Sequence, residues 1–401
     1  MFSRREILKV AGVGAIASGL PGVTFATADT DARFVLMILR GAADGLALAA
    51  PYGDGNYRKL RGELALPLPG DDNGLNKLDG LFGLHPSLPG VFEEYKNGQA
   101  LIVHAIASPY RDRSHFDGQD VLENGAAVVG SLRDGWLNRS LAPLGGSLGD
   151  EVAIAMAQNT PLVLRGDNSV TSWAPSQLPD ADEGTLRRLK NMYAEDEFFS
   201  TRLTQALKSQ EIADGQASMD RMRTRGNDPE QLRTIMQATA RFLTAADGPR
   251  IAVLEAGGWD THANQGTTGG ALANRLGGLD GGLMALRDGL GKSWSQTVVA
   301  VVTEFGRTAA TNGTRGTDHG TASAAILIGG AVNGGRVIVD WPGLSKSNLY
   351  QGRDLKPTTD MRSLFKGVLS EHFELPRSLL DGSVFPDSAV ATPMRDLIRS
   401  T

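Results

Sequence analysis

The side chains able to do chemistry gather in two stretches, GGWDTH at Gly257–His262 and TEFGRTAATNGTRGTDHG at Thr303–Gly320. They carry Asp260, His262, Glu304, Asp318 and His319, with Arg307 among them. Carboxylate oxygens and imidazole nitrogens suit zinc, manganese or magnesium. Two further groups join them: Arg113-Ser114-His115, and Asp44 flanked by glycines in Gly41-Ala42-Ala43-Asp44-Gly45. A hydroxyl activated by a metal or base is a nucleophile, and a guanidinium beside a metal suits a tetrahedral oxyanion such as phosphate or sulfate.

Each of these residues also has a simpler role open to it. Asp44 can bond its own backbone in a turn. Ser114 can cap a helix, with His115 in that helix's first turn. Asp260 and His262 share one side only while their segment stays extended. The adjacent pair Asp318-His319 serves one site only if its loop turns sharply, which Gly316 and Gly320 permit. Arg307 can pair with Glu304 across one loop. Taken jointly, they fall at the ends of four different strands, the edge where open α/β sheets bind ligands. His85, at a helix start, and His104, inside an apolar strand, are expected to be structural. Trp259, beside Asp260, is a candidate pocket wall.

The elements that must hold these loops follow from the apolar pattern. Buried strands are expected at 33–40, 100–106, 251–256 and 297–303, with shorter ones at 151–157, 161–164, 324–328 and 336–339. Helices are expected at 85–97, from Ser114 to about Asn124, and over 183–212, 229–246, 270–290 and 359–373. Residues 51–84 read as a long loop. Residues 166–248 hold no convincing core strand and read as a helical insertion or cap. Strands alternating with helices imply a mostly parallel sheet covered on both faces.

Residues 1–28 read as an export signal. Ser3-Arg4-Arg5-Glu6-Ile7-Leu8-Lys9 is a twin-arginine signature, followed by a short Gly- and Ala-rich apolar stretch and Ala26-Thr27-Ala28. The expected location is the periplasm, the expected partner there is the twin-arginine export machinery, and no stable membrane span is expected in the mature chain. Removing the signal leaves 373 residues with 37 basic and 44 acidic side chains, a net charge of −7, which argues against nucleic acid as a partner. There is no cysteine, so disulfides, thiolate metal sites and a cysteine nucleophile are excluded. The chain has no G-x-x-x-x-G-K-[ST], G-x-S-x-G or H-E-x-x-H, which sets aside P-loop nucleotidases, serine esterases and zincin proteases.

LRGAADGL (39–46), RSHFDGQDVLENG (113–125), GGWDTHANQG (257–266) and EFGRTAATNGTRGTDHG (304–320), behind a twin-arginine signal, resemble the bacterial exported family called domain of unknown function 1501. That family is thought to be related to the alkaline phosphatase and sulfatase superfamily. The resemblance implies an alkaline-phosphatase-like α/β fold, a three-layer sandwich with a mostly parallel central sheet, over residues 29–401. It also implies roles. Asp44 would be a first metal ligand and Ser114 the nucleophile, with Asp318 and His319 sharing that metal. Asp260 and His262 would hold a second metal, with His115 or Glu304 in place of a third histidine. Here the second pair is spaced D-x-H where the superfamily has D-x-x-x-H. The function implied is an exported metal-dependent hydrolase or transferase acting on a phosphate or sulfate ester of a small molecule or glycan, with Arg113 or Arg307 steadying the developing charge. The alternative is a non-catalytic periplasmic binding or assembly protein that keeps the fold.

Overall fold

The computed structural model describes residues 31–144, 152–175, 182–214 and 229–399. The export signal lies outside the described residues. The chain runs β1 (Arg33–Leu39), α1 (Gly45–Leu48), β2 (Ala49–Ala50), α2 (Tyr57–Arg61), β3 (Asn76–Lys77), β4 (Gly83–Leu84), α3 (Pro89–Lys96), β5 (Ala100–Ala107), α4 (His115–Asn124) and α5 (Trp136–Leu141). It continues with β6 (Ala153–Ala155), β7 (Thr171–Ser172), α6 (Glu183–Met192), α7 (Glu197–Asp214), α8 (Pro229–Thr244), β8 (Ile251–Ala256), α9 (Ala271–Leu290) and β9 (Thr297–Thr303). β10 (Ser323–Ile328), β11 (Val337–Ile338), β12 (Thr359–Asp360) and α10 (Met361–His372) follow.

The central sheet has the order β11-β5-β10-β9-β1-β8-β6-β7, with β12 also on β5. Its pairings are parallel except those of β10, which runs antiparallel to both β9 and β5. β1 shows why the fold has three layers. Val35, Met37 and Leu39 belong to one apolar core, and Phe34, Leu36 and Ile38 to the other. A strand buried on both faces needs a continuous apolar run, and residues 34–39 (FVLMIL) supply it. Leu276, Leu279 and Leu283 of α9 cover one face with Met236 and Leu243 of α8. Trp136 and Leu137 of α5 and Leu364, Phe365 and Val368 of α10 cover the other.

Three sequence expectations change here. Pro161–Leu164 is not a strand: Leu162–Leu164 is a 3-10 turn, because Pro161 cannot donate to a ladder. Thr171–Ser172 pairs with β6, so the 166–248 region does carry a short strand. Two helices, α6 and α7, stand where one was expected over 183–212.

The register places the site. Leu39 is level with Ala256 on one side and Thr303 on the other, so β1, β8 and β9 end together. Ser323, the first residue of β10, is opposite Ile106 near the end of β5. The loops beginning after residues 39, 107, 256 and 303 therefore all leave one edge of the sheet.

Candidate metal centre

Residues 304–309 and 317–321 run antiparallel, held by Gly306 N–H to Thr321 O (2.8 Å), Gly320 N–H to Gly306 O (2.8 Å) and Thr308 N–H to Asp318 O (2.9 Å). Backbone passes so close to backbone that only glycine fits: a Cβ at Gly320 would lie 2.4 Å from the Arg307 carbonyl carbon, and one at Gly316 2.3 Å from the His262 oxygen. Asn312 Nδ2 and Thr314 Oγ1 donate to that same His262 carbonyl at 2.9 and 2.6 Å, tying the two motif loops together.

Three imidazoles and one carboxylate meet at this junction. His115, Asp260 and His319 each offer a ligand atom, and these atoms lie within 4.8 Å of one another. His262 adds a third ring, its Nε2 2.9 Å from His319 Nε2 and 3.1 Å from Asp260 Oδ1. The other nitrogen of each ring faces an acceptor. His319 Nδ1 is 3.0 Å from the Arg113 carbonyl, His115 Nδ1 is 2.7 Å from Glu304 Oε1, and His262 Nδ1 is 3.4 Å from Asp318 Oδ1. A carbonyl or carboxylate oxygen only accepts, so each Nδ1 is the N–H donor, and in a neutral ring Nε2 is then a bare lone pair. His319 Nε2 nevertheless faces Asp260 Oδ1 at 3.1 Å. His115 Nε2 is buried without a hydrogen-bond partner, 3.6 Å from Asp260 Oδ2. The Arg307 guanidinium meets Asp260 Oδ1 at 2.6 Å, and imidazole nitrogens and carboxylate oxygens about 3 Å apart also suit a small cation with bonds near 2 Å. The donor set fits a divalent metal.

The groups of the site shift one another. Burial and the neighbouring His115 hold His319 below the ordinary histidine range. The Glu304 hydrogen bond raises His115 against its burial. Burial would raise both Asp260 and Glu304, yet both sit lower than usual. The Arg307 guanidinium does this for Asp260, and hydrogen bonds from His115 and the Gly41 N–H do it for Glu304.

Several residues singled out in the sequence lie next to this group rather than in it. Glu304 is fully buried behind His115, its Oε1 also accepting from Gly41 N–H at 2.9 Å. Asp318 and His319 need no sharp turn. They straddle His262, His319 meeting its Nε2 and Asp318 its Nδ1, and the Asn312 amide holds the Asp318 carboxyl low. Asp44 does not reach the group. It is buried, caps α1 through Leu46 N–H, pairs with the fully buried Arg61, and accepts from Gln265 Nε2 at 2.7 Å. Arg113 points its guanidinium at Asp354 (2.8 Å) and Gln351 (2.7 Å) and contributes only its carbonyl, turned inward by a φ of 66°. Arg307, fully buried, does not pair with Glu304. It bonds Asp260 Oδ1 at 2.6 Å and both the hydroxyl and carbonyl of Thr317. Trp259 belongs to the core rather than to a pocket wall.

Sequence reading missed Gln265, Arg61, Asn312 and Tyr110. Gln265 Oε1 accepts from Thr261 and Thr317 at 2.8 and 2.9 Å while its amide nitrogen donates to Asp44. Gln265 and Asn312 stand inside the motifs, where only their amide character could have marked them. Arg61 carried no signal at all, being far from every motif in the chain.

A family model described as "Protein of unknown function (DUF1501)" matches residues 31–384. No curated protein matches the chain. Among solved structures the chain is similar to the phosphonate monoester hydrolase of Agrobacterium radiobacter, at 11% identity and a TM-score of 0.39 over 89% of this chain and 78% of that one. It is similar to a protein in the alkaline phosphatase superfamily from Vibrio parahaemolyticus, at 12% identity and a TM-score of 0.36 over 82% and 69%. A sulfatase from Pseudoalteromonas sp. is similar at 12% identity and a TM-score of 0.37 over 94% and 73%. These likenesses concern the chain trace and carry no residue roles.

Proposed function

The chain belongs to the DUF1501 family of proteins of unknown function, and from that premise we propose an exported, metal-dependent hydrolase or transferase acting on a phosphate or sulfate ester. One observation carries the reading: the Nε2 atoms of His115, His262 and His319 converge on the Asp260 carboxylate while each Nδ1 donates elsewhere. These four residues would hold the ion. Three imidazoles with one carboxylate favour zinc or a similar first-row ion over magnesium, which prefers oxygen ligands. Glu304 and Asp318 would fix the tautomers of His115 and His262 from behind. Bound there, a divalent ion would supply a Lewis acid that lowers the pKa of the attacking hydroxyl.

Ser114 is our candidate nucleophile. It stands between Arg113, whose carbonyl holds His319, and His115, and its hydroxyl makes no cap bond to α4. Arg307 is engaged with Asp260 and so positions that carboxylate rather than the substrate. We assign the substrate's charge instead to Arg353, 42% exposed, bound at 3.2 Å to Asp354 and close enough to Asp318 to lower its carboxyl. The periplasmic location and the export machinery as partner rest on Ser3–Lys9. No helix of the described residues is long and apolar enough to cross a membrane.

The test is elemental analysis of protein purified from the periplasm, beside turnover of aryl phosphate mono- and diesters and sulfate esters with several divalent metals. Ser114→Ala should abolish turnover while metal content stays. A second reading, a non-catalytic binding or assembly protein, draws on Asp44 being closed off by Arg61, which leaves no second metal set among the described residues. Bound metal with no turnover of any ester would favour that reading.

A further inference from the structure

Asp354 is a completely buried carboxylate that stands outside the ligand group. Its Oδ2 accepts from Arg113 Nε at 2.8 Å and lies 2.8 Å from Arg113 Nη2, so two guanidinium nitrogens meet one carboxylate oxygen. Its Oδ1 is 3.2 Å from Arg353 Nη1 without an aligned hydrogen bond. The same turn adds Gln351 Oε1, which accepts from Arg113 Nη2 at 2.7 Å, and the Tyr350 ring, whose centroid is 5.9 Å from Arg113 Cζ. The turn is anchored to the motif hairpin: the Ala309 N–H donates to the Arg353 carbonyl at 3.2 Å, and the Thr321 hydroxyl to the Leu355 carbonyl at 2.9 Å. Tyr350, Gln351 and Asp354 thus fix the Arg113 side chain from three sides. The Arg113 φ of 66° is left-handed, a region that costs energy for a residue with a Cβ and persists only where the surroundings impose it. That backbone conformation turns the Arg113 carbonyl onto His319 Nδ1 at 3.0 Å.

We propose that Asp354 is a positioning residue: through the Arg113 guanidinium it holds the Arg113 carbonyl on His319 Nδ1, and so keeps His319 Nε2 free for the ion. The inference deepens the metal-centre reading and rests on it. A neutral imidazole has one ring proton. His319 has two acceptors for it, the Arg113 carbonyl at Nδ1 and Asp260 Oδ1, 3.1 Å from Nε2. If the carbonyl swings away, the proton moves to Nε2 and bonds Asp260, where it blocks the nitrogen that would face the metal.

The experiment reads the ring and the metal separately. Nitrogen NMR of histidine-labelled, chelator-treated protein shows which nitrogen of His319 carries the proton, with His319→Gln identifying its signals. Zinc affinity is measured by chelator competition, and Tm is recorded on metal-free protein. Wild type should carry the proton at Nδ1; a proton at Nε2 would overturn the proposal. Asp354→Asn, which keeps the shape and removes the charge, should shift the proton toward Nε2 and weaken zinc binding by roughly 10–100-fold. Arg113→Ala should do the same. Arg113→Gly should lose less than Arg113→Ala, because glycine takes the same φ without a side chain to hold it. Adding Asp354→Asn to Arg113→Gly should change zinc affinity no further. A merely structural Asp354 predicts a lower Tm with tautomer and zinc affinity unaltered, and that result would overturn the proposal. An undiminished effect of Asp354→Asn beside Arg113→Gly would overturn it too. Should Asp354→Asn fail to fold, the two Arg113 variants decide, and equal losses in them refute the proposal. A wild type that shows the Nδ1 proton, loses it in Asp354→Asn and binds no zinc would refute the metal centre while leaving the role of Asp354 standing.

Discussion

At the scale of single residues, tautomers decide what the centre is. Each imidazole of the centre has one nitrogen facing an obligate acceptor, so its other nitrogen is left for the ion we propose. Removing a ligand and removing a tautomer-setting group should therefore differ. His319→Ala should lose bound metal and lower Tm together, since an ion present at 100 times its Kd stabilises the folded state by about 2.7 kcal/mol. Full metal occupancy in that variant, read by elemental analysis, would refute the shared site. Glu304→Gln keeps the shape of a side chain that lies behind His115 (2.7 Å) without entering the ligand group. It should retain the site and weaken metal affinity by roughly 10–100-fold, the usual effect of removing such a partner. A chelator titration separates the two variants. His85 should be silent in both measurements, because its Nε2 bonds the Thr267 carbonyl at 2.9 Å.

Among elements, the question is what holds the two motif loops in place. Asp44, Arg61, Gln265 and Thr317 form a buried chain of polar contacts beneath the centre, and Arg307 continues it to Asp260. A ligand at position 44 would support stability only with metal bound, whereas a buried ion-pair partner supports it always. Asp44→Ala strands the Arg61 charge in the interior, which costs about 3–5 kcal/mol. We expect Tm to fall as far in metal-free protein as in metal-loaded protein. A fall confined to the loaded protein would restore Asp44 as a ligand. The four long strands were legible because their apolar runs, interrupted inside the strand only by His104 in β5 and Glu255 in β8, have few other fates, and β8 and β9 match their expected ranges. The reversed direction of β10 was not legible. SAAILI reads the same in either direction, and only the return of the 304–322 segment to the edge it left makes the strand antiparallel.

The whole molecule responds to pH through its core as well as its site. Burial pushes His104 and His372 down to about 4, against about 6.5 for a free histidine. Between those values the unfolded chain takes up protons that the folded chain refuses, so stability is full above pH 6.5 and declines toward pH 4. Tm measured across that window should fall, and His104→Gln should flatten the slope. A slope unchanged in that variant would show that other groups dominate. For the full-length chain, Arg4-Arg5→Lys-Lys should hold the protein in the cytoplasm. Mature protein from the unmodified chain should begin at Asp29, within a few residues, by mass spectrometry. Periplasmic accumulation of the double variant would refute the twin-arginine route.

The sequence by itself determined the family, the mixed α/β layering and the segments that make up the site, because strand ends and motif glycines are local features. It also marked the residue types that a metal needs. Only the tertiary structure decided which of those residues converge. A carboxylate is equally suited to bind an ion, hold an imidazole or pair with an arginine, and the choice depends on neighbours far away in the chain. Asp260 faces three imidazoles, Glu304 stands behind one of them, and Asp44 meets Arg61, a residue with no motif around it. Those three carboxylates looked alike along the chain, and packing at one edge of the sheet gave them different roles.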